Sequence, residues 1–332
     1  RNTVAGLNNR GSSEALATMR SRQEIAIIGA GIAGLACAQR LSDAGLKLVV
    51  FDKGRNAGGR AATRCVATDI QFDHGAQYFT ARSPAFSSVL ESMLSCGAAA
   101  RWDDGSGKPH FVGIPGMNAL ATYLERDLER HQSTEVVAVR RARNGWAVDI
   151  GADKHQFDMV VITIPAPQIV NLLGQSGAFA DELEGVGFDP CLTLMAALEP
   201  LSARPFVTRA DTDDALAWIA EDSSKPDRGT EACWVAQASP SWSAKYLNSD
   251  SETIASMMLP MLCDQLGTIS AKVRYVTAHR WRYAKVSEPL GRPFIRHKSG
   301  TLYAGGDWCL GAQLEAAWTS GDSIARDILG LA

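Results

Sequence analysis

The chain has 332 residues, of which 46% are hydrophobic and 21% are charged, and these fractions are typical of a globular enzyme. A formal net charge of −3 gives no general attraction to nucleic acid or to an anionic membrane, and no apolar run approaches the ~20 residues of a membrane span. The seven cysteines are dispersed without a CxxC pair, which predicts free thiols in a reducing, cytoplasmic setting and neither a disulfide framework nor a metal site.

Residues 1–22 are polar, with four arginines and one acidic residue. They lack the apolar core of a secretory signal. We therefore expect a flexible N-terminal arm or an upstream extension, with a transit-type arm as the alternative.

Residues 23–52 predict a strand, a glycine-rich turn, a helix and a second strand in that order. Gly29 permits the tight turn, Gly31 lets the backbone approach a pyrophosphate, and Gly34 lets the helix lie close to the strand. The unit predicts a dinucleotide site. The alternative is a glycine-rich turn that serves packing alone.

The helix and the second strand of this unit supply further contacts. Backbone N–H groups of the first helical turn, at Ile32 and Ala33, suit a phosphate because they are unpaired and carry partial positive charge. Asp52 closes the second strand eighteen residues after Gly34, where its carboxylate can accept hydrogen bonds from an adenosine ribose. Lys53 follows directly.

Residues 53–64 form a basic, glycine-rich loop in which Gly58 and Gly59 precede Arg60. A guanidinium binds two phosphate oxygens at once, and paired glycines permit close approach. The position just after a dinucleotide strand favours a phosphate contact over a solvated loop with incidental arginines.

Residues 70–80 are predicted to form one strand, in which Gly75 indicates close approach of a flat ligand or of another backbone. The other elements predicted in this half are helices at 84–96 and 118–130, a loop at 111–117, and strands at 135–141, 145–150 and 157–164. Pro165 prevents the last strand from continuing.

From about Asn171 the pattern changes to antiparallel strands rich in tryptophan. The predicted strands are 191–198, 215–219, 231–238 and 272–281, with a helix at 251–266. A short apolar strand at 302–306 and a helix at 311–331 then predict that the chain returns to the dinucleotide fold.

This return bears on the identity of the dinucleotide. A strand that ends at Gly306 and Asp307, followed by a helix N-terminus near Leu314, provides a second cofactor contact far from the first in sequence. A nicotinamide dehydrogenase does not need this unit, whereas an elongated flavin dinucleotide uses both ends. The dipole of the terminal helix also stabilises negative charge on a reduced flavin.

Six segments together resemble the flavin amine-oxidase superfamily and, within it, the renalases, especially the bacterial ones. They are IAIIGAGIAGLACAQRL, FDK with GGR, DHGAQYFTAR, VVITIPAPQ, AHRWRYA and AGGDWCLGAQLEAAWTSG. The resemblance covers residues 23–331, and DHGAQYFTAR and HRWRYA with GGDW are more specific than the glycine fingerprint. His74 departs from the family pattern, which has an apolar residue such as Met or Leu there.

The resemblance implies an α/β fold with a Rossmann-like FAD-binding domain and a second, α+β substrate domain that contains a mainly antiparallel sheet. In this two-domain architecture of the amine oxidases, residues 23–83, 111–170 and 298–332 are expected to bind FAD. Residues 84–110 and 171–297 are expected to form the substrate domain.

The resemblance also implies which residues contact FAD, non-covalently. They are Gly29, Gly31, Ile32, Ala33, Gly34, Asp52, Lys53, Arg60, Gln77, Val136, Val137, Gly306, Asp307 and Leu314. Val136 or Val137 is expected to contact adenine through its backbone, and Leu314 to donate its N–H to flavin O2. Cys309 is the thiol to check for a covalent link.

The implied activity is oxidation of the 2- or 6-dihydro forms of NAD(P) by hydride transfer to flavin N5, with O2 as electron acceptor and H2O2 as product. A dihydropyridine gives up hydride readily, so orientation, worth up to ~7–11 kcal/mol, replaces a strong base or nucleophile. We expect Trp281 and Tyr283 to wall a flat apolar slot, with His279 and His74 as further catalytic candidates.

Three alternatives stay open. The aromatic residues of the predicted slot are also compatible with ordinary strand packing. An amine oxidase or a desaturase of the same fold would need a deeper, substrate-shaped cage, and a catalytically silent flavoprotein would serve redox sensing or protein interaction. The other histidines, His110, His131, His155 and His297, are expected to be exposed, with no metal cluster.

Overall fold

The computed structural model describes residues 23–174, 177–201 and 203–331. The predicted N-terminal arm at 1–22 lies outside these residues. Within them, no helix is both long enough and apolar enough to cross a membrane.

The strands are β1 (Glu24–Ile28), β2 (Lys47–Phe51), β3 (Thr63–Ala67), β4 (Ile70–Asp73), β5 (Ala99–Trp102), β6 (His110–Gly113), β7 (Arg130–His131), β8 (Val136–Arg141), β9 (Trp146–Ile150), β10 (Asp153–Phe157), β11 (Met159–Ile162), β12 (Gly187–Leu198), β13 (Thr208–Ala210), β14 (Trp218–Glu221), β15 (Ala232–Gln237), β16 (Val273–Glu288), β17 (Ile295–Arg296) and β18 (Leu302–Ala304). The α-helices are α1 (Ile32–Asp43), α2 (Pro84–Ser95), α3 (Ala119–Leu124), α4 (Ala166–Leu173), α5 (Ala180–Leu183), α6 (Pro240–Lys245), α7 (Ser251–Leu266) and α8 (Leu314–Leu329).

A six-stranded sheet in the order β17-β18-β11-β1-β2-β7 carries the dinucleotide motif. β1 pairs in parallel with β2 on one side and with β11 on the other, and β18 is parallel to β11. β1 and β11 are almost wholly apolar and buried, as expected for parallel strands covered on both faces. The predicted return of the chain to this fold is confirmed, because β18 lies in the same sheet as β1.

Two layers cover this sheet. On one face α1 packs against α8 so closely that a Cβ at Gly321 would overlap the carbonyl oxygen of Ala33. The other face packs on the three-stranded sheet β8–β10 and on α4, where Val148 and Ile169 share a core with Ile28. The Rossmann-like layering therefore follows from strands that are apolar on both faces.

The second sheet is antiparallel, in the order β13-β14-β15-β12-β16. One face packs against α7, with Met258 and Leu262 in the same core as Leu194. The opposite face meets β4, where Phe72 packs with Met195. The predicted fold class is confirmed. The domain boundaries stay a proposal.

Several local predictions were wrong. The predicted strand 70–80 ends at Asp73, because Gly75 turns against the backbone of Arg60. The predicted helix 118–130 keeps only α3, because Asp127 adopts a positive φ of 64° and Arg130 then enters the six-stranded sheet. The predicted strand 157–164 is divided at Asp158 into β10 and β11, and the predicted loop 111–117 begins inside β6.

Candidate cofactor and substrate site

The glycine-rich turn lies at the carboxyl end of β1. Gly29 has a φ of 108°, which favours glycine, and its N–H donates to the carbonyl oxygen of Phe51 at 2.8 Å. A Cβ at Gly34 would overlap the carbonyl oxygen of Gly29, so packing alone requires glycine there. Hydrogen bonding and packing within the protein therefore fix the conformation of this turn.

Neither the backbone conformation nor packing explains why residue 31 is a glycine. Its φ of −75° and ψ of 175° are accessible to any residue, and no atom lies within 4 Å of the position a Cβ would take. It is the N-cap of α1 and provides no side-chain cap, so the first-turn N–H groups, including those of Ile32 and Ala33, lack intrahelical partners. This open cradle of backbone donors fits an anion.

Asp52 lies beside the turn, fixed by two backbone donors. Its Oδ2 accepts from the N–H of Ala30 at 2.5 Å and its Oδ1 from the N–H of Gly54 at 2.6 Å. Each carboxylate oxygen keeps a further lone pair, which suits ribose hydroxyls. The side chain of Lys53 is exposed.

The entry to β8 lies next to Asp52. The N–H of Thr134 donates to the carbonyl oxygen of Asp52 at 2.8 Å. In the pairing of β8 with β9 the register shifts between Val136 and Ala138, so that Val137 is skipped and is 51% exposed. The backbone of Val137 is outside the pairing of β8 with β9, so it fits the predicted backbone contact to adenine.

Arg60 joins the two remote cofactor motifs. Its Nη2 donates to Asp307 Oδ1 at 2.5 Å, and its Nη1 donates to the carbonyl oxygen of Ala284 on β16 at 3.1 Å. The loop that carries Arg60 is also hydrogen-bonded to the glycine-rich turn, because the N–H of Gly58 donates to the carbonyl oxygen of Ala30 at 2.8 Å. The beginning and the end of the described chain thus meet at one surface.

The terminal strand and helix complete this surface. The N–H of Gly306 donates to Ser320 Oγ at 2.9 Å, which fixes the strand end on α8. α8 begins at Leu314, and its N-cap Gln313 makes no side-chain capping bond. The backbone donor predicted at Leu314 therefore lies in an uncapped first turn.

The side chain of Gln77 is buried and already bonded within the protein. Its Nε2 donates to the carbonyl oxygens of Asp73 at 2.5 Å and Gly75 at 3.1 Å, and its Oε1 accepts from Lys225 Nζ at 3.5 Å. The prediction of a cofactor contact at Gln77 stays untested, and its side chain is used in holding the segment that follows β4.

Three of the four predicted catalytic residues form one aromatic cluster. The rings of His74 and Trp281 are stacked with centroids 5.4 Å apart, and His279 lies edge-on to His74 at 4.9 Å and to Trp281 at 4.3 Å. Trp281 Nε1 donates to the carbonyl oxygen of His74 at 2.8 Å, which fixes the indole plane. We call these three residues the aromatic wall.

Tyr283 lies on the same face of β16 but contacts Phe188, with ring centroids 5.7 Å apart. The guanidinium of Arg60 is 5.9 Å from the same Phe188 ring. Tyr283 and the guanidinium of Arg60 thus share the neighbour Phe188, and the aromatic wall lies earlier on β16.

Both histidines of the aromatic wall are neutral near pH 7. Burial lowers the pKa of His74 to about 4, aided by His279 and Arg64. Burial, followed by the charges of Arg64 and Arg280, lowers the pKa of His279 to about 4. His74 Nδ1 is buried without a hydrogen-bond partner, so a lone polar atom is left for a bound molecule.

The lowered pKa values of His74 and His279 predict that the folded protein loses stability in acid. A histidine with a pKa of about 6.5 when unfolded and about 4 when folded contributes stability above pH 6.5 that is lost as the pH falls towards 4. The His74→Leu/His279→Gln variant should lose less stability between pH 7 and 5, because unfolding takes up about one proton fewer per histidine removed. Urea unfolding at several pH values measures this, with exposed His155→Gln as control. An unchanged pH slope in the double variant would contradict the neutral state.

A buried network that the sequence analysis missed supports the aromatic wall. Asp73 Oδ2 accepts from Lys225 Nζ at 3.1 Å and from Arg228 Nη2 at 2.7 Å, and Lys225 Nζ also donates to Asp222 Oδ1 at 2.6 Å. The N–H of Asp73 donates to Asp222 Oδ2 at 3.0 Å. The signal was present as Asp73 directly before His74 and as the three-residue spacing of Asp222 and Lys225.

The pKa values of the two carboxyl groups in this network, Asp73 and Asp222, are shifted in opposite directions. Burial opposes ionisation of Asp73, but Lys225, Arg228 and its hydrogen bonds outweigh burial and hold its pKa at about 2. For Asp222 burial dominates over the ammonium of Lys225, so its pKa is raised. Asp73 is thus the ionised anchor of the segment that carries His74.

The expectation that His110 is exposed was wrong. His110 is 5% exposed, its Nδ1 lies 2.8 Å from Asp104 Oδ2, and its ring stacks on Tyr78 with centroids 3.7 Å apart. His110 begins β6, a strand that the sequence analysis did not predict. Among the residues that the structure describes, no three His, Cys, Asp or Glu side chains converge as metal ligands.

Comparisons with known proteins agree with this geometry. Residues 27–93 match the family model of the NAD(P)-binding Rossmann-like domain. Residues 85–329 match the family model described as flavin containing amine oxidoreductase. The second match covers most of the chain, including β16 and α8.

Individual relatives cover nearly the same length. Renalase from Mus musculus is 26% identical over 322 residues, which is 85% of this chain and 92% of that protein. A crystal structure of a putative protoporphyrinogen oxidase from Exiguobacterium sp. 255-15 superposes with a TM-score of 0.76 at 14% identity, over 93% of this chain and 99% of that one. A redesigned putrescine oxidase gives 0.70 at 13% identity over the same shares. At this level of sequence identity, the two solved structures show a similarity to this chain in fold alone.

Proposed function

The chain belongs to the flavin-containing amine oxidoreductases, and we propose that it binds FAD non-covalently and oxidises 2- or 6-dihydro forms of NAD(P) with O2 as acceptor. Renalase, a relative of nearly equal length, supports this narrower choice within the family. The seven free thiols support a reducing, cytoplasmic location.

Two features support FAD as the cofactor. The open cradle at Gly31 and the fixed carboxylate of Asp52 suit a pyrophosphate and an adenosine ribose, while Arg60 and Asp307 bring the terminal motif to the same surface. Cys309 is fully buried, and burial raises the pKa of its thiol to about 12. A protonated thiol is a poor nucleophile, which supports a non-covalent link.

The observation that carries the substrate proposal is the neutral aromatic wall. His74, His279 and Trp281 provide flat rings, and imidazoles with a pKa of about 4 are weak proton acceptors. A dihydropyridine needs no strong base, because it releases hydride readily once it is oriented. A protonated amine, in contrast, needs a group that accepts its proton before oxidation.

The protein residues orient the substrate and exclude water. A bound flavin supplies the two-electron acceptor. The indole of Trp281 is fixed by its bond to the His74 carbonyl, so it stacks a planar ring without first ordering its own side chain. Holding both reactants in the reacting geometry, to which this fixed indole contributes, is worth up to ~7–11 kcal/mol of the barrier.

Anaerobic titration tests the proposal. The purified protein should show the visible spectrum of an oxidised flavin, and 2- or 6-dihydro-NAD(P) should bleach it within seconds and yield NAD(P)+. Readmitted oxygen should restore the colour and form H2O2. Putrescine and benzylamine serve as control substrates. Bleaching by amines alone would favour an amine oxidase, and a flavin that no candidate substrate reduces would favour a silent flavoprotein.

A further inference from the structure

Arg64 is a half-buried arginine that has neither a hydrogen-bond nor an ion-pair partner within residues 23–174, 177–201 and 203–331. Half-buried guanidinium groups normally bind a carboxylate or carbonyl oxygens, as Arg60 does with Asp307 and Ala284. An unpaired cation next to a candidate substrate site is available to bind an anionic ligand.

The hairpin of β3 and β4 directs Arg64 towards the aromatic wall. Arg64 is directly opposite Phe72, and the N–H of His74 donates to the carbonyl oxygen of Ala62 at 3.2 Å in the same register. Directly opposed residues share a face of a hairpin, and so do residues two apart. Arg64, Phe72 and His74 consequently project on one side.

That side of the hairpin packs on β16. Phe72 stacks on Tyr275 with centroids 5.8 Å apart, and His74 stacks on Trp281 at 5.4 Å. The charge of Arg64 reaches both wall histidines, since after burial it contributes to lowering the pKa of His74 and of His279. Arg64 thus lies at the edge of the aromatic wall.

The neighbouring charges do not neutralise Arg64. The buried carboxylates of the network that supports the wall, Asp73 and Asp222, are already paired with Lys225 and Arg228. Arg280, beside His279 on β16, adds a further positive charge, and its own donors bind the carbonyl oxygens of residues 247 and 249. This end of the wall therefore has an excess of positive charge.

This positive end and the cofactor motifs meet different parts of β16. Arg60 contacts β16 at Ala284, whereas His279 is five residues earlier, on the other side of the irregular pairing between β16 and β12. A ligand ring stacked on the wall between these points has Arg64 on its side away from Asp307. Arg64 is therefore placed for a part of the substrate other than the reacting ring.

We propose that Arg64 binds the pyrophosphate of the substrate and thereby selects anionic dihydronicotinamide dinucleotides over neutral or cationic molecules. The inference rests on the proposed function. A guanidinium binds two phosphate oxygens in a fork, whereas the same charge repels a protonated amine. Arg64 is thus a specificity residue outside the aromatic wall.

Flavin reduction with two substrates tests the inference. In Arg64→Gln the apparent affinity for 2-dihydro-NAD should fall about 10- to 100-fold, because a charge-assisted bidentate contact is lost. Reduction by the neutral riboside of the same dihydronicotinamide, which lacks phosphate, should stay within about twofold. Arg64→Lys should show an intermediate loss, and Arg282→Gln, an exposed arginine bonded to Asn248, should resemble the wild type.

Binding of the product NAD+ supplies a second readout that needs no turnover. Calorimetry should show weaker NAD+ binding in Arg64→Gln than in wild type and in Arg282→Gln. Equal losses with dinucleotide and riboside, or unchanged NAD+ binding, would overturn the inference while leaving the proposed function intact. A wild-type flavin that no dihydronicotinamide reduces, together with Arg64-dependent NAD+ binding, would overturn the function but retain the anion site.

Discussion

A Gly31→Val variant is expected to fold as the wild type does and to lose its flavin. The backbone at Gly31 is extended, a conformation that valine favours, and the added side chain meets no protein atom within 4 Å of Cβ. The side chain would instead fill the cradle in front of α1. Losing two hydrogen bonds to charged phosphate oxygens, at about 1.5–3 kcal/mol each, weakens binding about 100-fold or more.

Two other glycine substitutions make this result interpretable. Gly185→Val is the matched control, because its Cβ also meets nothing within 4 Å and it lies in the turn between α5 and β12. It should keep its flavin. Gly34→Ala should destabilise the fold itself, since its Cβ would overlap the carbonyl oxygen of Gly29. Flavin content after purification and urea unfolding of the flavin-free proteins measure the two effects separately. A Gly31→Val protein with full flavin content would contradict a pyrophosphate at this turn.

A Lys225→Met variant is expected to lose about 3–5 kcal/mol of unfolding free energy, because it leaves the buried Asp222 without its cation and Asp73 with Arg228 alone. The side chain of Lys225 is fully buried and contacts both Asp73 and Asp222. The loss should extend to the aromatic wall, since Asp73 directly precedes His74. Equilibrium urea unfolding gives the size of the effect.

The surface supplies the control for this buried cation. Lys47 forms an ion pair with Glu24 in which both side chains are more than half exposed. Lys47→Met should therefore change the unfolding free energy by less than about 1 kcal/mol. Similar small losses at Lys47 and Lys225 would show that the buried network does not stabilise the fold.

The parts of the fold that were predicted correctly are those with a strong local pattern. The strand, turn and helix from Glu24 to Asp43 follow from an apolar run, three glycines and helical periodicity. Helix α7 was predicted with its observed limits, because Asp250 caps its start and Gly267, at a φ of 64°, ends it. Local chemistry decides such elements before any tertiary contact forms.

The errors arose where a long-range contact overrides the local pattern. Residues 125–130 are charged except for Leu128 and suit a helix surface, but Arg130 pairs with Val50 and so extends the six-stranded sheet. The alternation after Asp73 suits a strand, yet a Cβ at position 75 would overlap the carbonyl oxygen of Arg60, so this glycine admits another backbone. Sequence periodicity carries no information about such partners.

Part of the candidate site was likewise predicted from local motifs, and part depends on contacts that only folding provides. The motifs predicted a cofactor surface at both ends of the chain, and the Arg60–Asp307 contact joins them. The supporting residues were missed, because Lys225 belongs to no motif and Arg64 only ends the basic loop of residues 53–64. Both gain importance from the neighbours that folding provides. Buried charges and unpaired cations are recognised from contacts in three dimensions.

The most direct measurement of the central claim is the absorption spectrum of the purified wild-type protein, followed by denaturation and chromatography of what is released. One flavin dinucleotide held between Gly31 and Asp307 predicts flavin absorption in the folded protein and about one equivalent of free FAD after unfolding. A colourless protein that takes up no FAD when it is supplied would contradict the account.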